Sequence, residues 1–422
     1  MVPYVGLPST ATRMMIVLAI IISLVGCGAS LRSNSTVPPS AAASSSAPRT
    51  CAATVLETLG HVAMRVYHEG VSSERTGAAL HFIAKSIPLR NAVERGDAQA
   101  TRTAARALIA TGHMTNLEVM RNGQVLADVG SPNALAPLKG ALTGAGGAPI
   151  GTFVTSVWAD DGFLAETNGI SEGKVALRAN GRSLAGSFEL PPGELPAQGT
   201  LNREGVDYQY TSFPAELYPS GSLRVYLLRP IHSTVLLCGR TSQDTVVNTL
   251  SHIAQLIYAG EAGGRALTEV HRVQHDPALL RAVARREPGA TRQAIMGLLT
   301  QHIVRLRVSA GGRLLSDVGG PYVLAPVNAT LRLGGRTIGS FVLSIQDDEG
   351  YLRLTKRLAG LDVLMYMGSK LVKNSLGPMP GTVPASGTYH YRGHTFRVFT
   401  LHAKAFPSGP LRIVVLIPIP YS

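Results

Sequence analysis

The sequence predicts an α+β fold with two tandem modules, each with N-terminal helices packed on a mostly antiparallel sheet of five or six strands. Blocks of the first half of the chain recur in the second half at a nearly constant offset. Each half opens with apolar residues at helical spacing, and the apolar period changes to two further along. Helices followed by a run of strands are typical of the α+β class.

The repeat sets the boundaries of the two modules. Offsets that stay nearly constant across separated blocks indicate a duplicated unit. We therefore expect the first module to span residues 51–232 and the second to span residues 233–422. The matched blocks are Val119–Pro137 with Val308–Pro326, Ile150–Phe153 with Ile338–Phe341, and Tyr218–Arg224 with Phe406–Arg412.

The first residues have the features of an export leader. An arginine precedes the apolar run Met14–Val25, which is short for a membrane span. The run leads into Leu-Val-Gly-Cys27, which resembles the lipobox of bacterial lipoproteins, in which the cysteine is lipidated. The alternative is an ordinary signal peptide with an incidental cysteine. We expect a lipoprotein signal peptide at residues 1–26, a flexible Ser/Ala/Pro-rich tether at residues 27–50, and a lipid anchor on the extracytoplasmic face of the cell membrane.

Cys51 and Cys238 are the cysteines left once the leader is removed. Cys51 precedes the first predicted helix of the first module, and Cys238 follows the last predicted strand of that module. In an oxidising compartment, two cysteines that bracket one module predict a disulfide between its beginning and its end. The alternative is a pair of buried thiols.

The chain is basic, with a formal net charge of +13 and a pI near 9.9. In a cytosolic protein this charge would suggest a nucleic-acid partner, but the predicted export argues against one. The excess is mostly arginine, scattered along the chain, which favours a basic surface with nonspecific affinity for anionic lipid or cell-wall polymers. We expect no nucleic acid, no cofactor and no metal.

Each module opens with two helical segments. The stretches Thr54–Tyr67 and Thr245–Tyr258 repeat apolar residues at three- and four-residue steps, which predicts an amphipathic helix in each module. A second helical stretch follows at Ala78–Ala110 and at Ala266–Thr300. Proline lacks a backbone donor and marks a break in each of these stretches. The two prolines are Pro88 and Pro277.

The strand region of each module begins with a hairpin. Its turn residues are Asn122-Gly123 in the first module and Gly311-Gly312 in the second, and they suit a turn that needs positive φ. Further strands are predicted at residues 151–158, 174–179, 206–213 and 223–228, with counterparts at 339–346, 362–367, 395–401 and 411–417. An acidic hairpin turn is predicted at Asp161-Gly162 and at Glu349-Gly350.

These motifs resemble those of the extracytoplasmic PAS-like sensor domains called PDC or Cache domains. The resemblance is carried by the long first helix, the hairpin with Gly-x-x-Leu-x-Asp-Val-Gly, the Ile-Gly-Thr/Ser-Phe-Val segment and the strand after Pro-Ser-Gly. It covers nearly all of residues 51–420, once in each half. It implies two tandem PAS-like modules that bind a small extracellular solute. Such domains commonly lie outside a transmembrane receptor, so a membrane-protein partner for signalling is also implied.

Candidate ligand-binding residues lie at matched positions of the two modules. Asp128 and Asp317 end the second hairpin strand, where a carboxylate could bind an amine or a cation; the alternative is a capped turn. Asn133 and Tyr322 follow in the next loop, where the tyrosine ring could close over a solute; the alternative is drift of the loop sequence. The second module is the favoured binding module, because the Tyr322 ring could close over a solute and its hydroxyl could form a hydrogen bond, whereas the first module has Asn133 at that place; Asp317 lies a few residues away.

Two arginines complete the candidate ligand-binding residues. Arg90 and Arg281, near the helix breaks, could clamp a ligand carboxylate with two hydrogen bonds, or could be exposed helical arginines. Ser220 and Ser408 lie in Pro-Ser-Gly without a nucleophile elbow, which indicates a turn and no catalytic residue. We therefore expect no enzyme.

The sequence predicts a membrane-anchored sensory lipoprotein that recognises a small solute. The alternative is a structural or protein-interaction lipoprotein of the cell envelope that has no ligand. The lining of any cavity distinguishes the two, because convergent polar groups favour binding and apolar filling favours a scaffold.

Overall fold

A computed structural model describes residues 50–299, 302–378 and 382–421. The predicted signal peptide, Cys27 and almost all of the predicted tether lie outside these residues. The described residues belong to one compact unit. No helix among them is long and apolar enough to cross a membrane.

The first half begins with a long helix and three shorter ones. A fifth helix lies between strands, and a short sixth helix ends the half. These helices are α1 (Cys51–Ser72), α2 (Glu74–Lys85), α3 (Ile87–Arg95), α4 (Ala98–Ile109), α5 (Asp160–Ser171) and α6 (Ile231–Val235).

Side-chain caps fix the start of the first four helices. In each case a hydroxyl or carboxylate oxygen accepts a hydrogen bond from the backbone amide three residues later, which satisfies one of the free amides of the first turn. The capping residues are Thr50, Ser73, Ser86 and Asp97. Pro88 lies in the first turn of α3, so the predicted break in the second helical stretch is a new helix start.

The strands of the first half form two antiparallel sheets. Among the described residues they are β1 (Asn116–Arg121), β2 (Gln124–Gly130), β3 (Ala134–Leu135), β4 (Leu138–Thr143), β5 (Pro149–Ser156), β6 (Trp158–Ala159), β7 (Lys174–Ala179), β8 (Arg182–Gly186), β9 (Gln198–Arg203), β10 (Val206–Leu217) and β11 (Gly221–Pro230). The smaller sheet has the order β2-β1-β5-β4. The larger sheet has the order β6-β3-β10-β11-β7-β8, and β9 also pairs with β10.

The second half repeats this order. Its helices are α7 (Ser242–Gly260), α8 (Gly264–Gln274), α9 (Pro277–Ala284), α10 (Pro288–Leu298) and α11 (Asp348–Ala359). Its smaller sheet consists of β12 (Arg305–Ala310), β13 (Arg313–Gly319), β15 (Val327–Leu333) and β16 (Arg336–Ser344). Its larger sheet consists of β14 (Val323–Leu324), β17 (Gln346–Asp347), β18 (Asp362–Met367), β19 (Lys370–Asn374), β20 (Gly387–Tyr391), β21 (His394–Ala405) and β22 (Gly409–Ile419).

The α+β class, the repeat and the antiparallel sheets agree with the prediction, and the number of sheets differs from it. The sequence predicts one sheet of five or six strands in each module, whereas the described residues form a four-stranded and a seven-stranded sheet in each half. The acidic turns at Asp161-Gly162 and Glu349-Gly350 are the first turns of α5 and α11. Acidic residues suit a helix N-terminus because its free amides carry partial positive charge.

The predicted hairpin turns are present in both halves. Asn122 and Gly123 have φ values of 50° and 78°, and Gly311 and Gly312 have values of 55° and 74°. All four lie in the left-handed region, which glycine and asparagine adopt most readily. The turns join β1 to β2 and β12 to β13.

The two halves share one apolar core. Helix α1 packs against α7, and each of these also packs against the late helix of the other half, α1 on α11 and α7 on α5. This reciprocity is the pattern of an isologous, twofold-like interface. Fully buried residues from both first helices lie in this core, among them Val55, Leu59 and Val62 of α1 and Leu250 and Ile253 of α7.

A disulfide joins Cys51 to Cys238, with the two Cα atoms 5.6 Å apart. Cys51 is the first residue of α1, and Cys238 follows α6 at the end of the first half. The bond therefore ties the start of the first half to the start of the connection into α7. It closes a loop with a sequence separation of 187 residues.

Removing this disulfide should lower the stability of the protein. A loop of this length restricts the unfolded chain by about 4–5 kcal/mol in the chain-entropy account. We expect the Cys51→Ser, Cys238→Ser double variant to lose a free energy of unfolding of that order, measured by denaturant titration. An unchanged denaturation midpoint would show that the bond does not constrain the unfolded chain.

Candidate functional site

The space between the helices and the smaller sheet of each half is filled with apolar side chains. In the first half these include Leu89, Leu117 and Phe153, and in the second half they include Leu306 and Phe341. Among the described residues, no group of three or more His, Cys, Asp or Glu side chains is arranged to hold a metal ion.

The outer face of the first smaller sheet carries an open pocket of about 530 Å³. The turn at Pro219 and Ser220, between β10 and β11, forms one wall of it. The floor consists of two cross-strand rows on β4, β5 and β1, whose directly opposed residues share one face of the sheet. These rows are Lys139, Val154 and Glu118, and Ala141, Thr152 and Met120.

Two acidic residues lie side by side at the end of this floor. Glu118 on β1 is directly opposite Asp128 on β2. The Tyr218 hydroxyl donates a hydrogen bond to Oδ1 of Asp128 over 3.1 Å. Partial burial, followed by the charge of Asp128, raises the pKa of Glu118 above its ordinary value. Burial, together with the neighbouring carboxylates, also raises the pKa of Tyr218, which keeps its proton available for donation.

No basic side chain neutralises this acidic pair within the described part of the chain. Within the described residues, no Lys, Arg or His nitrogen lies within 4.0 Å of a carboxylate oxygen of Glu118 or Asp128. Lys139 lies on the same face of the sheet, two strands away from Glu118. The pocket thus has a negative end, a positive end and an apolar floor between them.

The same position of the second half is neutralised by its own residues. Arg305 donates from Nε and Nη2 to the two carboxylate oxygens of Asp317, over 2.8 and 2.9 Å. Its guanidinium lies 4.8 Å from the centre of the Phe406 ring, and Phe406 takes the place of Tyr218. Arg307, opposite Asp317, takes the place of Glu118. The charge of Asp317 is therefore compensated within the chain, because Arg305 binds both carboxylate oxygens in the two-pronged manner.

The remaining predicted site residues have other contacts. Asn133 donates to Oδ2 of Asp160 over 3.1 Å. Tyr322 accepts a hydrogen bond from Lys370 over 3.1 Å and lies beneath the same ammonium group. The structure therefore shows no contact between Tyr322 and Asp317 among the described residues, and it holds the two side chains with different partners.

The two candidate arginines differ in exposure. Arg90 on α3 is half-buried, and its Nε has no hydrogen-bond partner among the described residues. Arg281 on α9 is exposed. Neither lines the pocket described above. None of the six predicted ligand-binding residues lines this pocket, but Asp128 lies directly opposite Glu118, which does.

The sequence reasoning missed Glu118 and Lys139. The signal that could have found them lies in the repeat itself, since the matched row of the second half is Asn328, Val342, Arg307 and Asp317. The valine and the aspartate are kept, whereas Glu118 is replaced by arginine. A charge reversal at a matched outward position points to a difference in what the two faces contact.

No family model matches the sequence, and no curated protein does. Among solved structures, the periplasmic domain of LuxQ from Vibrio cholerae is similar at 11% identity, over 43% of this chain and 96% of that chain, with a TM-score of 0.25. An extracellular ligand binding receptor from Desulfohalobium retbaense is similar at 11% identity, over 42% of this chain and 39% of that chain, with a TM-score of 0.24.

The acidic pair should give the protein a specific pH dependence. The pKa of Glu118 in the folded protein is raised above its ordinary value. The folded protein therefore binds this proton more readily than the unfolded chain does. As a result, the free energy of unfolding falls as pH rises through the folded-state pKa. We expect Glu118→Gln to be more stable than the native protein at neutral pH and to lose that advantage in acid. Denaturant titrations across this range would measure the difference.

The matched control for this prediction is Arg307→Gln in the second half. Arginine does not titrate in this range, so the stability difference between this variant and the native protein should not depend on pH there. An advantage of Glu118→Gln that persists unchanged into acid would contradict the raised pKa.

Proposed function

We propose that the protein is an extracytoplasmic sensor that binds a small solute with a positively charged group in the outer pocket of its first half. The observation that supports this most is the acidic pair of Glu118 and Asp128, which has no internal cation. Like charges in direct cross-strand contact destabilise a sheet. A bound ammonium group would offset that repulsion, so the ligand supplies the charge that Arg305 supplies in the second half.

The rest of the pocket suits a solute of moderate size. Met120, Ala141 and Val154 would cover the hydrocarbon part of a ligand, and ligand pockets generally combine such apolar lining with a few polar groups. The ammonium of Lys139 at the opposite end would meet an anionic group of the same molecule. The pocket volume of about 530 Å³ is within the usual range for small-molecule sites.

We propose further that lipidated Cys27 holds the protein at the membrane and that residues 27–50 are the tether. A lipid anchor would keep the two modules, residues 51–232 and 233–422, beside a membrane partner to which binding is reported. This part of the proposal rests on the lipobox-like sequence and on the composition of the tether.

The second half favours a structural role. Its Asp317 is paired with Arg305, so it has no uncompensated acidic pair like that of Glu118 and Asp128. The sequence favours this half for binding because of Tyr322, whereas the geometry favours the first half. We therefore propose the second half as the scaffold. The internal pairing of its Asp317 is also the feature that best supports the alternative function, a structural lipoprotein without a ligand.

Ligand binding can be tested by stabilisation of the mature protein. We expect amines or amino acids, which carry an ammonium group, to raise the unfolding temperature more than small carboxylates or nucleobases do, since a ligand at 100 times its Kd adds about 2.7 kcal/mol. Glu118→Gln should remove most of this shift, because it deletes the acceptor charge. Ala141→Trp should remove it by filling the floor of the pocket.

Thr330→Trp is the matched control, because Thr330 takes the place of Ala141 in the second half. This variant should keep the native ligand shift. If Ala141→Trp folds and keeps the full shift, or if Thr330→Trp loses it, the solute does not bind in the pocket of the first half.

The lipid anchor can be tested in the full precursor. We expect Cys27→Ser to move the protein from the membrane fraction to the soluble extracytoplasmic fraction, because a single acyl anchor needs its thiol. Immunoblots of fractionated cells would measure this. Retention of the Cys27→Ser form in the membrane fraction at the native level would contradict the proposal.

A further inference from the structure

The outer face of the larger sheet in the first half carries two arginines in direct cross-strand contact. Arg178 on β7 is opposite Arg224 on β11 in the antiparallel register. Residues directly opposite each other project from the same face, and like charges there destabilise the pairing. This face is separate from the Glu118 pocket, which lies on the smaller sheet.

Arg178 is fixed in place. It is 5% exposed, and its two terminal nitrogens donate to the carbonyls of Pro191 and Gly193. Its guanidinium also lies 5.7 Å from the centre of the Tyr226 ring. Its Nε has no hydrogen-bond partner among the described residues. A charged, buried and immobile group of this kind keeps its charge only at a cost in solvation.

Arg224 is half-buried and has even fewer partners. Its Nε is buried without a hydrogen bond, and within the described residues no carboxylate lies at ion-pair distance from Arg224 or from Arg178. Glu194 lies on the loop at the rim, where its side chain is exposed. The pair therefore has two positive charges and unused donors without a counter-ion of its own.

These donors line a cavity. A pocket of about 400 Å³ is bounded by Arg178, Arg224, Tyr226, Asn180, Ser222 and Glu194. Arg224 contributes a guanidinium that is not held by other groups, and Asn180 and Ser222 add neutral polar side chains. The cavity is large enough for a small organic acid or a phosphate together with its water.

The second half shows that the fold does not need the arginine pair. The position of Arg178 is taken by Tyr366, which is directly opposite Arg412 in the same register. The Arg412 guanidinium lies 4.2 Å from the centre of the Tyr366 ring, so this single cation is held by an aromatic face. The second arginine is thus particular to the first half.

We propose that the Arg178 and Arg224 pocket binds a small oxyanion, a carboxylate or a phosphate. Such a group would neutralise the like charges of the pair and accept hydrogen bonds from the Arg224 guanidinium, whose planar fork matches two oxygens of one anion. This site does not depend on the proposed cation pocket. It adds an anion-binding subsite on a different sheet of the same half.

Calorimetric titration tests the proposal on the full mature protein. Inorganic phosphate and succinate are titrated separately in an amine buffer at constant ionic strength, and the two arms distinguish phosphate from carboxylate. We expect at least one to bind, and Arg224→Met to weaken it by about tenfold or more. Arg224→Lys keeps the charge but not the planar fork, so its affinity for the anion should lie between those of the native protein and Arg224→Met.

Arg412→Met is the matched control and should bind like the native protein. Arg178 is left unchanged, because its contacts to Pro191 and Gly193 hold the loop. Glu194→Gln should bind as tightly as the native protein or more tightly, since it removes a competing negative charge. The proposal is overturned if neither anion binds at millimolar concentration, or if Arg412→Met weakens binding as much as Arg224→Met.

Discussion

The packing of α1 against α7 is the constraint on which the rest of the structure depends. Each of these helices is covered by the sheets of its own half on one side and by the late helix of the other half on another. Fully buried residues such as Leu59 and Leu250 contribute to one continuous core. Because this core is shared, the first helices and larger sheets of the two halves depend on each other, whereas each smaller sheet packs on apolar residues of its own half.

A twofold-like core leaves the outward faces free to differ. Core positions must suit both their own half and the other, so they stay alike, as Tyr67 and Tyr258 show: each exchanges hydrogen bonds with the backbone of its own larger sheet. Outward positions meet no such demand. There the halves differ in charge, with Glu118 against Arg307 on the smaller sheet, and two arginines against a tyrosine–arginine stack on the larger one.

The sequence predicts the local features of this fold well because their causes are local. Turn residues such as Asn122 and prolines such as Pro88 act through their own backbone, and the repeat confirms each of them a second time. The division into two sheets depends on which distant strands pair, and no local sequence pattern indicates this pairing. The ion pair of Arg305 and Asp317 could be predicted only in part from the sequence. The hairpin brings the two residues to neighbouring strands, but only the three-dimensional register shows that the arginine occupies both carboxylate oxygens.

The outward charges of the two halves differ in whether the chain itself compensates them. In the second half two of the outward charges described above have internal partners, Asp317 with Arg305 and Arg412 with Tyr366. In the first half the acidic pair and the arginine pair both repel internally, and no ion-pair partner for either lies among the described residues. The cost is tolerable because the shared core and the disulfide hold the first half to a neighbour without these repulsive pairs. Both proposed ligand sites therefore lie in the half whose charges the fold leaves uncompensated.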